Sequence, residues 1–168
     1  MLAAGLVGIL SMQAFAQSTP MTEAHIERIR ANCIEAQSTL TQLHKSDVGL
    51  RVNRGQLYES ILTKLMNPLN ARVVAGKLDG TALTTLTTSY EQQLGEFRTN
   101  YTAYDDSMVK LLRINCTNQP VAFYDSVADA RAKRQQVYAS NQALQKTIEQ
   151  YKGAFDAFKQ KFLQENGQ

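Results

Sequence analysis

Residues 123–162 read FYDSVADARAKRQQVYASNQALQKTIEQYKGAFDAFKQKF, and their spacing decides the fold. Phe123, Val127, Ala130, Arg134, Val137, Asn141, Leu144, Ile148, Tyr151, Phe155, Phe158 and Phe162 are separated by alternating steps of four and three. Such a seam lies along one side of an α-helix and buries one stripe against a partner helix. Only Arg134 and Asn141 are polar on it, and a buried Asn at such a position fixes register at some cost in stability. Asp125 and Asp129 in the early turns and Lys159 and Lys161 in the last suit the helix dipole. The reading is one long helix.

Upstream, Leu83, Leu86, Tyr90, Leu94, Phe97, Tyr101, Tyr104, Met108 and Leu111 repeat the pattern, with one extra four-step at Tyr90 to Leu94 that resembles a stutter. This second helix runs from Thr81 to about Arg113, roughly 50 Å at 1.5 Å per residue. The first segment opens at Thr19-Pro20 and carries Ile26, Ile29, Cys33, Ala36, Leu40 and Leu43. Gly49 and Gly55 weaken it, and a break or bend near Gly49 is expected. The pattern resumes at Tyr58, Ile61, Leu62, Leu65, Leu69 and Val73, with a kink expected at Pro68. Gly76 to Gly80 reads as a turn folded at Asp79-Gly80, with Asp79 or Thr81 capping the second helix, and Asn115 to Pro120 reads as the next turn. Short turns between long helices place neighbours antiparallel. The expected fold is therefore all-α, an elongated antiparallel three-helix bundle or coiled coil, with a fourth helix if the first segment breaks near Gly49.

The chain has 168 residues, enough for one domain with a modest core. Eighteen Lys and Arg against fifteen Asp and Glu give a net charge of +3, scattered without a phosphate-tracking stripe, which argues against nucleic acid as a partner. Residues 1–16, MLAAGLVGILSMQAFA, are uncharged and precede polar QSTP. An apolar run ending in Ala14-Phe15-Ala16 reads as a secretory signal peptide cut before Gln17, shorter than a spanning helix needs. No Lys or Arg precedes the apolar core, so a buried N-terminal helix and an uncleaved membrane anchor stand as alternatives. The expected organisation is a signal peptide over 1–16 and one helical domain over 17–168, exported to periplasm, cell surface or medium, with no membrane span once the signal is removed.

Cys33 and Cys116 are the two cysteines. In an exported chain they are expected to form a disulfide, and neither has C-x-x-C spacing for a redox or metal site. Placing Cys116 beside Cys33 is a stretch for a simple hairpin; the extended Asn115 to Pro120 turn and a bend near Gly49 together supply the reach, and without them the cysteines pair between chains or stay reduced. His25 and His44 lack the Glu-x-x-His spacing of a helical metal site, so no metal and no cofactor is expected. H-E-x-x-H, G-x-S-x-G and the Walker motif are all absent from the sequence. Adjacent Asp105 and Asp106 point about 100° apart on a helix and share no site. Arg51 and Arg54, three apart, present one face to an anion. Tyr101 and Tyr104 belong to a tyrosine-bearing stripe that either fills the core or lines a recognition groove. These four are the candidate binding residues, and no catalytic residue is assigned.

The stretches RVNRGQLYESILTKLM (51–66), INCTNQP (114–120) and FYDSVADARAKR (123–134) resemble uncharacterised exported helical proteins of ultrasmall candidate-phylum bacteria. That resemblance covers nearly all of the mature chain, implies export and helicity, and assigns no activity. Size, signal and long helices also resemble the small basic periplasmic holdase chaperones, although the trimeric tentacle type has a β-strand body for which no period-two segment is found here. The functional expectation is a non-enzymatic cell-envelope or surface interaction module that binds a protein or cell-wall component. The alternative is a holdase chaperone for exported clients.

Overall fold

The computed structural model describes residues 21–165 and 167, and all regular structure among them is helical. The signal-peptide reading and the Thr19-Pro20 helix start fall outside the described residues. The order is α1 (Glu23–Ala31), α2 (Cys33–Ser60), a π-helical turn (Ile61–Met66), α3 (Asn67–Ala75), α4 (Thr81–Leu112) and α5 (Pro120–Glu165). Helices α1 to α3 follow one another almost without interruption as a single first arm, so the bundle has three arms that run up, down and up.

The seam at 123–162 forms as expected. Helix α5 is 46 residues long, about 70 Å at 1.5 Å per residue. It buries Phe123, Ala130, Leu144 and Tyr151 against Leu94, Phe97, Tyr101, Tyr104 and Met108 of α4. Pairing of α4 with α5 is the most extensive in the molecule. Polar positions flanking the seam stitch the two helices: Asn100 Nδ2 donates to Ser140 Oγ (2.7 Å), Thr147 Oγ1 to Gln93 Oε1 (2.8 Å) and Ser107 Oγ to Asp129 Oδ2 (2.7 Å).

In the first arm the structure departs from the expectation. Helix α2 runs straight through Gly49 and Gly55, so no fourth helix arises there. Gly49 is exposed and Gly55 half-buried, and a Cβ at either would meet open space. A helix interior tolerates them at about 1 kcal/mol each when the remainder is docked. The interruptions lie elsewhere. At Asn32 the side-chain amide donates to Arg28 O (2.8 Å), ending α1 one residue before Cys33. At Ile61–Met66 the helix widens to a π turn immediately before Pro68, which then sits in the first turn of α3. Proline is tolerated in a first turn, where its missing N–H costs no intrahelical bond. The widened turn inserts an extra residue. It also shifts the seam by one position: Met66 is buried in place of the expected Leu65, which is 62% exposed.

Reversal between α3 and α4 occurs at Lys77, two residues ahead of the expected Asp79-Gly80 apex. Lys77 has φ 54°, and its N–H bonds Val74 O (3.0 Å) while the Leu78 N–H bonds Val73 O (3.0 Å). This is a Schellman ending, with Lys77 where glycine is usual. Leu78 and Val73 meet in the core as the hydrophobic contact that accompanies it. Gly80 is required by close approach, because a Cβ there would run into Val73 Cγ1. Gly80 itself is the N-cap residue of α4, and the Asp79 carboxylate accepts from the Thr81 N–H (3.3 Å).

An earlier apex and the extra π-turn residue together bring Cys33 level with the 113–119 turn. Cys33 and Cys116 are disulfide-bonded with Cα atoms 5.5 Å apart. The bridge needs no bend at Gly49.

Candidate functional site

Helix α2 touches α4 along its length but meets α5 chiefly through polar bridges. Asp47 pairs with Arg134 and Arg54 with Asn141, each couple 87 residues apart. A constant offset means that α2 and α5 run parallel and in phase. The polar interruptions of the α5 seam are therefore satisfied within the chain. Asn141 Oδ1 accepts from Arg54 Nη1 (2.8 Å) and from the Tyr58 hydroxyl, and Arg134 meets Asp47.

Between these two walls lies a cleft of about 430 Å³, floored by Phe97, Tyr101 and Tyr104 of α4. The α2 wall carries Asp47, Leu50, Arg51 and Arg54; the α5 wall carries Arg131, Arg134, Val137, Tyr138 and Asn141. All four residues singled out from the sequence, Arg51, Arg54, Tyr101 and Tyr104, line this one cleft. The periodicity placed the tyrosines on the α4 seam and the arginines on one face of α2. It could not show that the two faces converge, because the register between arms depends on the Lys77 reversal and the π turn. Arg131 and Asp47 escaped the sequence reading for the same reason. Arg134 was visible there as a charge on an otherwise apolar seam, which is the mark of a residue with a buried partner.

One arginine of the four is neutralised. The Asp47 carboxylate accepts from Arg134 Nε (2.7 Å) and Nη2 (3.0 Å), and the Tyr104 hydroxyl donates to it at 2.7 Å. Burial pushes the Asp47 carboxyl up, but the bonds from Arg134 and Tyr104 outweigh it and hold the group below the usual carboxylate range. Burial, reinforced by Asp47, drives the Tyr104 phenol far above its ordinary value. Arg51 lies with its guanidinium 4.7 Å from the centroid of the Tyr101 ring, a cation–π contact. Arg51, Arg54 and Arg131 face no carboxylate within ion-pair distance among the described residues. The cleft is thus an electropositive slot on an aromatic floor, with three guanidinium groups available to an anion.

His44 lies one turn below Asp47 on α2, with Nε2 2.7 Å from Asp105 Oδ1. His25 is exposed. No group of three metal-ligating side chains occurs among the described residues. A second, larger hollow of about 940 Å³ lies near the disulfide between α1–α2 and the start of α5, lined by Ile29, Leu40, Phe123 and Val127 with His25 and Arg28 at its edge. Its charges are mixed. No helix among the described residues is long and apolar enough to cross a membrane. Comparison with known protein families, with curated proteins and with solved structures finds nothing that matches this chain.

Proposed function

We propose that this chain is a non-enzymatic interaction module that works outside the cytoplasm and grips an anionic segment of a protein or cell-wall partner in the α2–α5 cleft. The observation that carries the reading is the convergence of Arg51, Arg54 and Arg131 over Phe97 and Tyr101, on three helices held in fixed register. A planar guanidinium fork loses little freedom per hydrogen bond it makes to an oxyanion, and aromatic neighbours favour a partner with an apolar part. Titration of the cleft groups supports binding over acid–base chemistry. Asp47 moves down, and Tyr101 and Tyr104 move up, all away from the neutral range a general acid or base needs. The disulfide is compatible with an oxidising compartment.

The test is co-sedimentation of the purified chain with cell-envelope fractions. The wild-type chain is expected to be retained and to release as salt rises; the Arg51→Glu/Arg54→Glu variant is expected in the supernatant. Equal retention of the double variant would remove the cleft from the function.

One observation favours the holdase reading. The first arm exposes Ile34, Val48, Leu50, Val52, Leu57, Leu65 and Val74, a large apolar display for one helical arm. A holdase of that kind suppresses aggregation of a denatured client at near-equimolar ratio, whereas a dedicated binding module does not.

A further inference from the structure

The cleft already shows how it binds a carboxylate, because it holds one of its own. Arg134 from α5 grips Asp47 with two parallel N–H donors, and Tyr104 from the floor adds its hydroxyl. One turn away on the same floor, the Arg/Tyr combination recurs as Arg51 and Tyr101, whose rings and guanidinium are in direct contact. Here Arg51 has no carboxylate within ion-pair distance among the described residues. The Tyr101 hydroxyl is buried and makes no close hydrogen bond, and no other buried side-chain polar atom among the described residues is in that position. Tyr101 as a whole is 5% exposed. A buried donor without a close hydrogen bond is rare and costly in a folded protein, and it calls for an explanation. Burial, and then the charge of nearby Asp105, push the Tyr101 phenol up; as an acceptor Asp105, itself held by His44 Nε2 at 2.7 Å, contributes least, and at neutral pH the hydroxyl stays a donor.

We infer that Arg51 and Tyr101, with Arg54 beside them, form a subsite for a carboxylate carried on an apolar body one or two rings in size. The inference rests on the anion-binding reading of the cleft and names its ligand class. On binding, the exposed Arg51 side chain turns off the Tyr101 ring, pairs with the carboxylate through its fork, and opens the hydroxyl to the second oxygen. The apolar body lies against Leu50, Phe97, Val137 and Tyr138. A volume of about 430 Å³ is at the low end for ligand pockets, which suits a fragment of that size. Guanidinium forks also take phosphate, but the anion this cleft already holds on an Arg and a Tyr is the carboxylate of Asp47, with neither a lysine nor a helix N-terminus beside it. The cleft lies midway along its helices and no lysine lines it.

The experiment is calorimetric titration of the full oxidised chain with 2-naphthoate, 2-naphthyl phosphate and galacturonate. 2-Naphthoate is expected to bind, with the phosphate and the apolar-free galacturonate each about tenfold weaker or more. Arg51→Gln is expected to weaken 2-naphthoate about tenfold and Tyr101→Phe about fivefold. Tyr101→Phe is also expected to leave the melting temperature unchanged or higher, because it deletes a hydroxyl without a close hydrogen bond; a structural role for that hydroxyl would lower it. Equal or tighter binding of 2-naphthyl phosphate overturns the carboxylate assignment while leaving an anion-binding cleft intact. Failure of 2-naphthoate to bind, or binding indifferent to both substitutions, overturns the subsite, whatever envelope co-sedimentation shows.

Discussion

The α4–α5 hairpin and the first arm are both built from heptad-like stretches, yet they hold together by different means. Helix α4 alone buries ten residues, and its pairing with α5 is continuous. The first arm, longer than either partner helix, buries only Cys33, Tyr58, Leu62, Met66 and Val73. It is fixed instead by discrete ties: the disulfide at one end, the Lys77 turn at the other, and the Asp47–Arg134 and Asn141 bridges between. Apolar burial at about 25 cal/mol per Å² is spread along a seam, whereas a tie acts at one level of the helix. The difference teaches where a binding cleft can form. It opens where the arm is tied to α5 by polar groups rather than sealed against it by a seam.

Cutting the covalent tie tests this contrast most severely. Replacing Cys33 and Cys116 by alanine releases a connection spanning 83 residues, and the chain-entropy account puts the loss at roughly 4 kcal/mol. The loss should be uneven. Amide exchange is expected to rise through α1 and the first half of α2 while the buried centre of α4 stays protected. Uniform loss of protection would mean that the arm and hairpin form one cooperative unit, and the contrast would fail.

The turn at the other end offers two substitutions of opposite sign. Gly80→Ala drives a Cβ into Val73 Cγ1 and is expected to cost about 1–3 kcal/mol. Lys77→Gly removes the strain of a side chain at positive φ and is expected to gain about 0.5–1 kcal/mol. Thermal melts of the two variants check both signs.

These effects also show what the sequence could and could not convey. The seam at 123–162 was legible because its register is internal to one helix, and so were the α4 seam and the cysteine pair. The Lys77 reversal was hidden, since a lysine at a left-handed position carries no sequence signal beyond the glycine before it. The π turn was hidden too, as Pro68 announces an irregularity without saying whether it will be a kink or a widened turn. Those two features set the inter-arm register. Arg51 and Arg54 could therefore be chosen as a pair on one face of α2 by spacing alone, but their opposition to Arg131 and Tyr138 could not be read.

The Asp47 bridge predicts a pH dependence of smaller size. The folded pKa of Asp47 is depressed, so its contribution is present above the unfolded carboxylate value near 4 and is lost as pH falls through the lower folded value. Denaturant melts should show stability level above about pH 5 and falling below about pH 4. Asp47→Asn should flatten the acid limb, although Asp129, whose pKa Lys133 and Ser107 also lower, retains part of it. Tyr104→Phe removes one donor to Asp47 and is expected to cost about 1 kcal/mol at neutral pH. An acid limb unchanged in Asp47→Asn would show that the bridge does not tie the arm.

The smallest expected effect on stability is the most telling for function. Leu57 and Leu65 are 55% and 62% exposed, so Leu57→Lys and Leu65→Lys should each change stability by less than about 0.5 kcal/mol. A chain that works as a binding module through its cleft is indifferent to both substitutions in envelope co-sedimentation, because neither residue lines the cleft. A chain that shields clients on the outer surface of its first arm loses suppression of client aggregation while its melting curve stays the same. The two readings thus part on a pair of substitutions that the fold itself does not register. They part at this arm because apolar side chains the bundle leaves uncovered cost it nothing to lose.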